Sequence, residues 1–258
     1  MEPIVNHRWE PERYLAYADE RGRPFVDLLS RVASPAPRTV VDLGCGPGNL
    51  TRLLAERWPD ATVTGLDSSP EMIAKAGAIE GIEWGVADAR DWTPAEPVDV
   101  LVSNATLQWV PDHLSLLPRL VEQVAPGGWF AFQVPGNFDA PSHTIRAELE
   151  EQAPYAEFAT ATSLRSTHDP ATYLGALAGL GLEVDAWETT YLHVLTGEDP
   201  VFTWVSSTSA GPILAALPDE LRGSFVDELK TRLRAAYPAT DGRVLMPFRR
   251  VFAVGRKP

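Results

Sequence analysis

The chain carries one cysteine, three methionines and only three lysines in 258 residues. A single thiol, Cys45, cannot close an internal disulfide, so a small secreted design stapled by disulfides is excluded. Basic charge is scarce: 22 Lys and Arg stand against 35 Asp and Glu, a formal net charge of −13. A duplex-binding surface needs clustered cations to neutralise phosphates, so nucleic acid is not an expected partner. Long apolar runs are missing as well. No stretch approaches the ~20 apolar residues of a membrane span. The opening Met1-Glu2-Pro3-Ile4-Val5-Asn6-His7-Arg8 lacks the apolar run of a signal peptide. A soluble cytoplasmic protein with no membrane partner is therefore expected. The five histidines, His7, His113, His143, His168 and His193, are scattered without metal-ligand spacing, so no metal is expected.

What is present fits an ordinary globular chain, 45% hydrophobic and 22% charged, long enough to bury a substantial core. Residues 10–33 have helical spacing, with Pro24 expected to interrupt them. After a Ser34-Pro35-Ala36-Pro37 linker the pattern changes to short β-branched runs at Thr39–Leu43, Ala61–Leu66, Ile82–Val86, Val98–Ser103 and Trp129–Val134. Helical stretches separate them, one opened by Ser69 as N-cap and Pro70 at the first helical position, another spanning 113–124 and closed by Pro126-Gly127-Gly128. Strands alternating with helices predict βαβ units and a parallel sheet covered on both faces, a doubly wound α/β fold. Residues 140–180 and 200–237 read as helical, and 182–195 and 244–254 as a terminal pair of strands. The expected organisation is one domain, with its core at 34–135, 182–195 and 244–258 and cap segments at 9–33, 140–180 and 200–237.

The strongest local signal is Asp42-Leu43-Gly44-Cys45-Gly46-Pro47-Gly48-Asn49, directly after the first strand. Glycines there let the backbone turn tightly and approach a ligand closely. The spacing is Gly-x-Gly-x-Gly, whereas a pyrophosphate cradle wants Gly-x-Gly-x-x-Gly. Asp42 would repel a phosphate and suits an ammonium or sulfonium group. Asp67 ends the second strand, where a carboxylate can take both ribose hydroxyls. Asp88 and Ala89 end the third and offer an acid and a backbone N–H to an adenine edge. Ser103 to Trp109 ends the fourth. Taken singly, the loop is also a plain tight turn and Asp67 a helix N-terminal charge; taken together, they point to a nucleoside cofactor in the crevice of an open α/β sheet.

Val41-Asp42-Leu43-Gly44-Cys45-Gly46-Pro47-Gly48 resembles the first motif of the S-adenosyl-L-methionine-dependent methyltransferases. The resemblance extends over nearly the whole chain through Trp9-x-Pro11-x-x-Tyr14-Leu15, Glu20-Arg21-x-Arg23-Pro24, Gly65-x-Asp67-Ser68-Ser69-Pro70, Ser103-Asn104-Ala105-x-Leu107-Gln108-Trp109-x-Pro111-Asp112-His113 and Thr189-Thr190-Tyr191-x-His193. It implies a Rossmann-like, mostly parallel seven-stranded sheet with helical insertions over the substrate. It also implies S-adenosyl-L-methionine as cofactor, S-adenosyl-L-homocysteine as product, and methylation of one carboxylate of trans-aconitate. The cofactor residues it implies are Asp42, Gly44, Gly46, Gly48, Asn49, Asp67, Ser68, Met72, Asp88, Ala89, Asn104, Leu107 and Trp109.

A carboxylate acceptor, with an ordinary pKa near ~4, is already ionised at pH 7. No general base is needed and no catalytic side chain is expected beyond those that position the reactants. A nucleophilic role for Cys45 is not favoured, because a small side chain fits inside the loop. A polyanionic acceptor calls for cations, and nineteen of the 22 basic residues are arginine once Lys75, Lys230 and Lys257 are set aside. Arginine grips a carboxylate bidentately. Within Phe248-Arg249-Arg250-Val251-Phe252 adjacent side chains point oppositely on a strand; the family pattern of Phe-x-Arg-x-Phe selects Arg250. Tyr14, Arg21, Gln108, Trp109, His113, Tyr191, His193 and Trp204 are the other substrate candidates. One departure stands out: Gly211 occupies the position, just before Pro212, where the family pattern carries an arginine. The rival expectations are another small carboxylic acid as acceptor, a dinucleotide oxidoreductase, which the glycine spacing and Asp42 oppose, and a non-catalytic cofactor-binding module. A monomer or weak homodimer is expected.

Overall fold

Short valine-rich runs, too brief for helices, form the centre of a parallel sheet. The computed structural model describes residues 22–159, 167–206 and 209–258. Tyr14 and Arg21 lie outside the described residues, as does half of the helix expected over 10–33. Its described part is α1 (Arg23–Ser30), which starts with Pro24 in its first turn, where a missing N–H costs nothing. The remaining elements in chain order are β1 (Thr39–Leu43), α2 (Arg52–Arg57), β2 (Thr62–Asp67), α3 (Pro70–Ala76), β3 (Glu83–Val86), β4 (Val98–Asn104), α4 (Leu117–Glu122), β5 (Val124–Pro135), α5 (Pro141–Glu150), α6 (Pro170–Gly179), β6 (Glu183–Thr196), α7 (Pro200–Ser206), α8 (Gly211–Ala216), α9 (Asp219–Ala236) and β7 (Arg243–Arg256). As expected, Ser69 caps α3, its hydroxyl accepting from the Met72 N–H at 3.3 Å.

The seven strands lie in the order β3-β2-β1-β4-β5-β7-β6. The pairs β1–β2, β1–β4, β2–β3 and β4–β5 are parallel. The chain thus winds outward from β1 in one direction, then returns to β1's other side with β4. That reversal is the switch point at which open α/β sheets bind ligands, outside the carboxyl ends of their strands. One register row runs Trp84, Gly65, Asp42, Val102 across β3, β2, β1 and β4. The Lys257 and Gly136 N–H groups donate to the carbonyls of Gly128 and Arg249, so β7 runs antiparallel to β5.

The fifth strand starts earlier than expected. Val124 pairs with Val98 and Trp129 with Val100, so Pro126, Gly127 and Gly128 are absorbed as an irregularity within β5. Gly127 makes this possible with φ +79°.

The chain forms two compact units. The first comprises the residues up to Val134 with His168–Glu188 and Val251–Pro258; the second comprises Pro135–Thr167 and Thr189–Arg250. Leu43, Leu101, Phe130, Phe132, Tyr173 and Leu177 are among the core residues of the first. Each large apolar side chain buried this way stabilises by roughly 1.5–3 kcal/mol. Residues 168–180, expected in the cap, belong to this first unit because Tyr173 and Leu177 are buried in its core. The second unit has its own core around Leu149, Val205, Ile213, Phe225 and Leu229. Among the described residues no helix is long and apolar enough to cross a membrane.

Candidate active site

The glycine loop after β1 is built from three glycines that each need their missing Cβ. Gly44, Gly46 and Gly48 have φ of +86°, +57° and +81°, the left-handed region that side chains resist. A Cβ on Gly44 would fall 2.0 Å from Thr106 Oγ1, and one on Gly48 would fall 2.5 Å from Trp84 Cη2. A Cβ on Gly46 would meet no atom of the described residues within 4 Å, so the side-chain face of the loop's middle is open to a ligand. The loop is tied to β2: the Gly44 and Cys45 N–H groups donate to the Leu66 carbonyl at 2.7 and 2.9 Å, and the Gly46 N–H donates to Asp67 Oδ2 at 2.8 Å. The other oxygen of Asp67 accepts from the Ser69 N–H at 2.9 Å. Each carboxylate oxygen keeps a further lone pair, so Asp67 retains capacity for ribose hydroxyls.

Asp42 is buried, 2% exposed. Its Oδ2 accepts from the Thr51 hydroxyl at 2.6 Å, and among the described residues Oδ1 has no hydrogen-bond partner. Burial pushes its carboxyl up to about 6; the Thr51 bond opposes the rise and the Asp67 charge adds to it. At neutral pH this is a desolvated carboxylate with one oxygen open, which attracts a cation and repels a phosphate. Cys45 is pushed up to about 12, first by burial and then by Asp42 and Asp67, so its thiol stays protonated and is no nucleophile.

At the end of β3, Asp88 is gripped by Arg90. Its Oδ1 accepts from Arg90 Nε at 2.9 Å and from the Arg90 N–H at 2.8 Å, and the guanidinium holds the carboxyl down to about 2. Arg119 of α4 pins the following turn by donating to the carbonyls of Arg90, Asp91 and Trp92 and to the Thr93 hydroxyl. Sequence reasoning missed Arg119, because nothing local marks a helix-surface arginine as a staple for a turn 26 or more residues away. Ala89 is buried, while Asn49, Ser68 and Met72 are exposed beside the loop and α3.

At the end of β4, Asn104 Oδ1 accepts from Gln133 Nε2 at 2.6 Å, and the Thr106 hydroxyl lies 3.1 and 3.2 Å from the carbonyls of Gly44 and Asn104. Three candidates in this stretch have their side chains inside the protein. Leu107 is fully buried in the first unit's core. Gln108 is buried with its amide N–H donating to the Ala105 carbonyl at 2.6 Å, bracing a residue held at φ +53°. His113 is fully buried, with Nε2 2.7 Å from the Tyr173 hydroxyl and its ring 5.4 Å from that of His168. Leu107 is held by packing in that core, Gln108 by its bond to Ala105, and His113 by its contacts with Tyr173 and His168. Trp109, by contrast, is 56% exposed.

The second unit gathers the other substrate candidates. Tyr191 and His193 alternate with exposed Leu192 and Val194 on β6, and Phe248 and Arg250 alternate with Arg249 on β7. The His193 ring stacks on Trp204 at 4.9 Å and meets Phe248 at 5.4 Å. The Arg250 guanidinium lies 4.4 Å from the centre of the Phe248 ring and is nearly buried. Arg249 turns away and donates to the Gly136 carbonyl at 3.1 Å. Phe248 was not among the candidates, although the same Phe-x-Arg-x-Phe signal that selected Arg250 contains it. Gly211 opens α8, and a Cβ there would come 3.3 Å from the Ser206 carbonyl.

The arrangement of β1, β2 and β3 ends fits a nucleoside carrying a cationic tail: an open glycine loop, an acid at each strand end, and one unpartnered buried carboxylate oxygen. Comparison with known proteins agrees. A family model described as a methyltransferase domain matches residues 14–186. The chain is 53% identical to the trans-aconitate 2-methyltransferase of Streptomyces avermitilis, with 99% of each chain covered. It is 52% identical to that of Rhodococcus jostii, covering 96% of this chain and 99% of the relative. The crystal structure of YcgJ from Bacillus subtilis superposes with a TM-score of 0.60 at 11% identity, over 93% of this chain and 99% of that one.

Proposed function

The chain belongs to the S-adenosyl-L-methionine-dependent methyltransferases, among the trans-aconitate 2-methyltransferases, and we propose that it methylates one carboxylate of trans-aconitate to give a monomethyl ester and S-adenosyl-L-homocysteine. The observation that carries the cofactor half of this reading is Asp42, buried beside the glycine loop with one oxygen that has no partner among the described residues. That oxygen suits the ammonium of the methionyl tail, while Asp67 suits the ribose and Asp88 the adenine amino group. When bound, S-adenosyl-L-methionine supplies a methyl group on a sulfonium, a leaving group that departs as a neutral thioether.

The acceptor needs no activation from the chain. The acceptor carboxylate is already ionised at neutral pH, so the residues around it hold and align it and take no proton from it. The neutral Cys45 thiol offers no competing nucleophile. The task of the residues is alignment and exclusion of water, worth up to ~7–11 kcal/mol where the geometry is favourable. Arg250 anchors an acceptor carboxylate, with Tyr191, His193, Phe248 and Trp204 forming the surface around it; Tyr14, Arg21 and Trp109 complete the proposed acceptor contacts. The enzyme is taken to act in the cytoplasm as a monomer or weak homodimer, and sedimentation reads the second point.

Turnover of trans-aconitate against a panel of di- and tricarboxylates, with the product identified by mass, tests the reading. Arg250→Ala removes a charged hydrogen bond of roughly 1.5–3 kcal/mol and is expected to lower kcat/KM for trans-aconitate about 10- to 100-fold. A loss below about threefold would remove Arg250 as anchor. Gly211 favours a second reading, in which the acceptor is another small carboxylic acid: one fewer arginine leaves one fewer carboxylate to satisfy. Turnover of a mono- or dicarboxylate in preference to trans-aconitate selects it.

A further inference from the structure

We propose that Thr51 is a positioning residue for the cofactor: its hydroxyl holds one oxygen of the Asp42 carboxylate and thereby presents the other, in fixed orientation, to the cofactor's ammonium group. The inference rests on the methyltransferase reading. Asp42 lies on β1 and Thr51 at the entry of α2, nine residues on. Both are buried, Thr51 completely and Asp42 to 2%. The hydroxyl-to-carboxylate distance is 2.6 Å, that of a strong charge-assisted bond.

Two further observations give the bond a purpose beyond packing. Thr51 stands at the N-cap of α2 yet makes no capping bond with its side chain. Its backbone is helical there, φ −56° and ψ −32°, so the hydroxyl is not placed to cap and is directed at Asp42. The second is Oδ1 of Asp42, which has no hydrogen-bond partner among the described residues. A buried carboxylate oxygen left open costs stability unless a ligand uses it. With Oδ2 held by Thr51, rotation of the carboxyl would break the bond, so Oδ1 has one orientation.

The charge environment makes the same bond matter for protonation. The groups that act on Asp42 are Thr51 from α2 and Asp67 from β2; Cys45 in the loop stays a neutral thiol near neutral pH. Burial and Asp67 both favour the protonated acid, and the Thr51 hydroxyl alone opposes them. Without it, Asp42 takes up its proton closer to neutral pH and the neutral acid no longer attracts an ammonium.

The test follows S-adenosyl-L-homocysteine affinity by calorimetry from pH 5 to 8, together with the Asp42 carboxyl titration by NMR in the cofactor-free protein. In Thr51→Val, which keeps the shape and loses the hydroxyl, the titration midpoint and the acidic limb of the affinity are expected to rise together by about one pH unit. Thr51→Ser restores the donor and is expected to follow the wild type. A Thr51→Val limb that coincides with the wild-type limb overturns the proposal, as does Thr51→Ser behaving like Thr51→Val at equal melting temperature. In an Asp42→Asn background, where no limb remains, Thr51→Val is expected to change affinity less than twofold; a larger loss assigns Thr51 a purely structural role and overturns the proposal. Should Thr51→Val not fold, Thr51→Ala and this double variant carry the same comparison. Wild-type protein that binds no S-adenosyl-L-homocysteine at any pH defeats the underlying cofactor reading, whereas binding without a shifted limb defeats only the inference about Thr51.

Discussion

Adding one methyl group at Gly65 is expected to destabilise the first unit by about 2–4 kcal/mol, although Gly65 lies within a regular strand. Its Cβ would fall 2.2 Å from Cζ3 and 2.5 Å from Cε3 of Trp84, the neighbouring residue in the β2–β3 register. Carbon atoms pack at about 3.5–4.0 Å, so the ring must retreat by more than about 1 Å. It has little freedom to do so. Its N–H donates to the Ile79 carbonyl at 3.1 Å, and its far edge already occupies the place of a Cβ on Gly48. Overpacking of this kind costs ~1–3 kcal/mol and loss of the indole hydrogen bond about 1 kcal/mol more. At ~2–4 °C per kcal/mol for a chain of this size, Gly65→Ala is expected to lower Tm by roughly 4–16 °C in scanning calorimetry. Trp84→Leu makes room for the methyl, so the double variant should melt above the temperature expected from adding the two single losses. A Gly65→Ala protein that melts within about 1 °C of wild type, or strict additivity with Trp84→Leu, would refute the argument that Trp84 dictates glycine at position 65.

Two further outcomes concern buried polar groups. Tyr173→Phe removes the hydroxyl that lies 2.7 Å from His113 Nε2 and accepts from the His168 N–H at 3.2 Å; leaving these groups unpaired should cost about 1–3 kcal/mol in urea unfolding, and a loss under 0.5 kcal/mol would contradict it. His113 and Asp42 should also give opposing pH dependences. Burial lowers His113 from 6.5 to about 4, so the unfolded chain takes up its proton first; that stability is fully present above pH 6.5 and is lost, by roughly 3 kcal/mol, as pH falls through about 4. Burial raises Asp42 from 3.8 to about 6, so its contribution is greatest below pH 3.8 and is lost, again by roughly 3 kcal/mol, as pH rises through about 6. Unfolding free energies at pH 4.5, 5.5 and 6.5 should therefore rise toward acid in His113→Gln and fall toward acid in Asp42→Asn, relative to wild type. Parallel curves for the three proteins would refute both assignments.

Much of the first unit was legible in the chain. The first strand was expected and found at Thr39–Leu43, and Ser69-Pro70 marked the start of α3 through local cap chemistry alone. The β5 boundary was misread because Pro126-Gly127-Gly128 carries a turn signal, and only pairing with β4 made it part of a strand. Around the site, Asp42, the glycines and Asp67 stood out because each belongs to a motif of adjacent residues. Leu107, Gln108 and His113 stand in an equally suggestive segment, yet their side chains turn into the protein; the 3₁₀ turn over Leu107–Trp109 buries Leu107 and Gln108 and leaves Trp109 exposed.

What the sequence determined by itself was therefore everything carried by neighbours along the chain: strand and helix alternation, the cap at Ser69, the glycine loop, and the excess of arginine over lysine that made a carboxylate acceptor plausible in an acidic protein. What tertiary structure decided was which distant residues those motifs lean on. Thr51 under Asp42, Thr106 over Gly44, and Trp84 against Gly48 and Gly65 are contacts between positions whose separation carries no period. Periodicity specifies the face of one element, whereas the partner across that face depends on strand register and on the exclusion of overlapping atoms, and both exist only once the chain is packed.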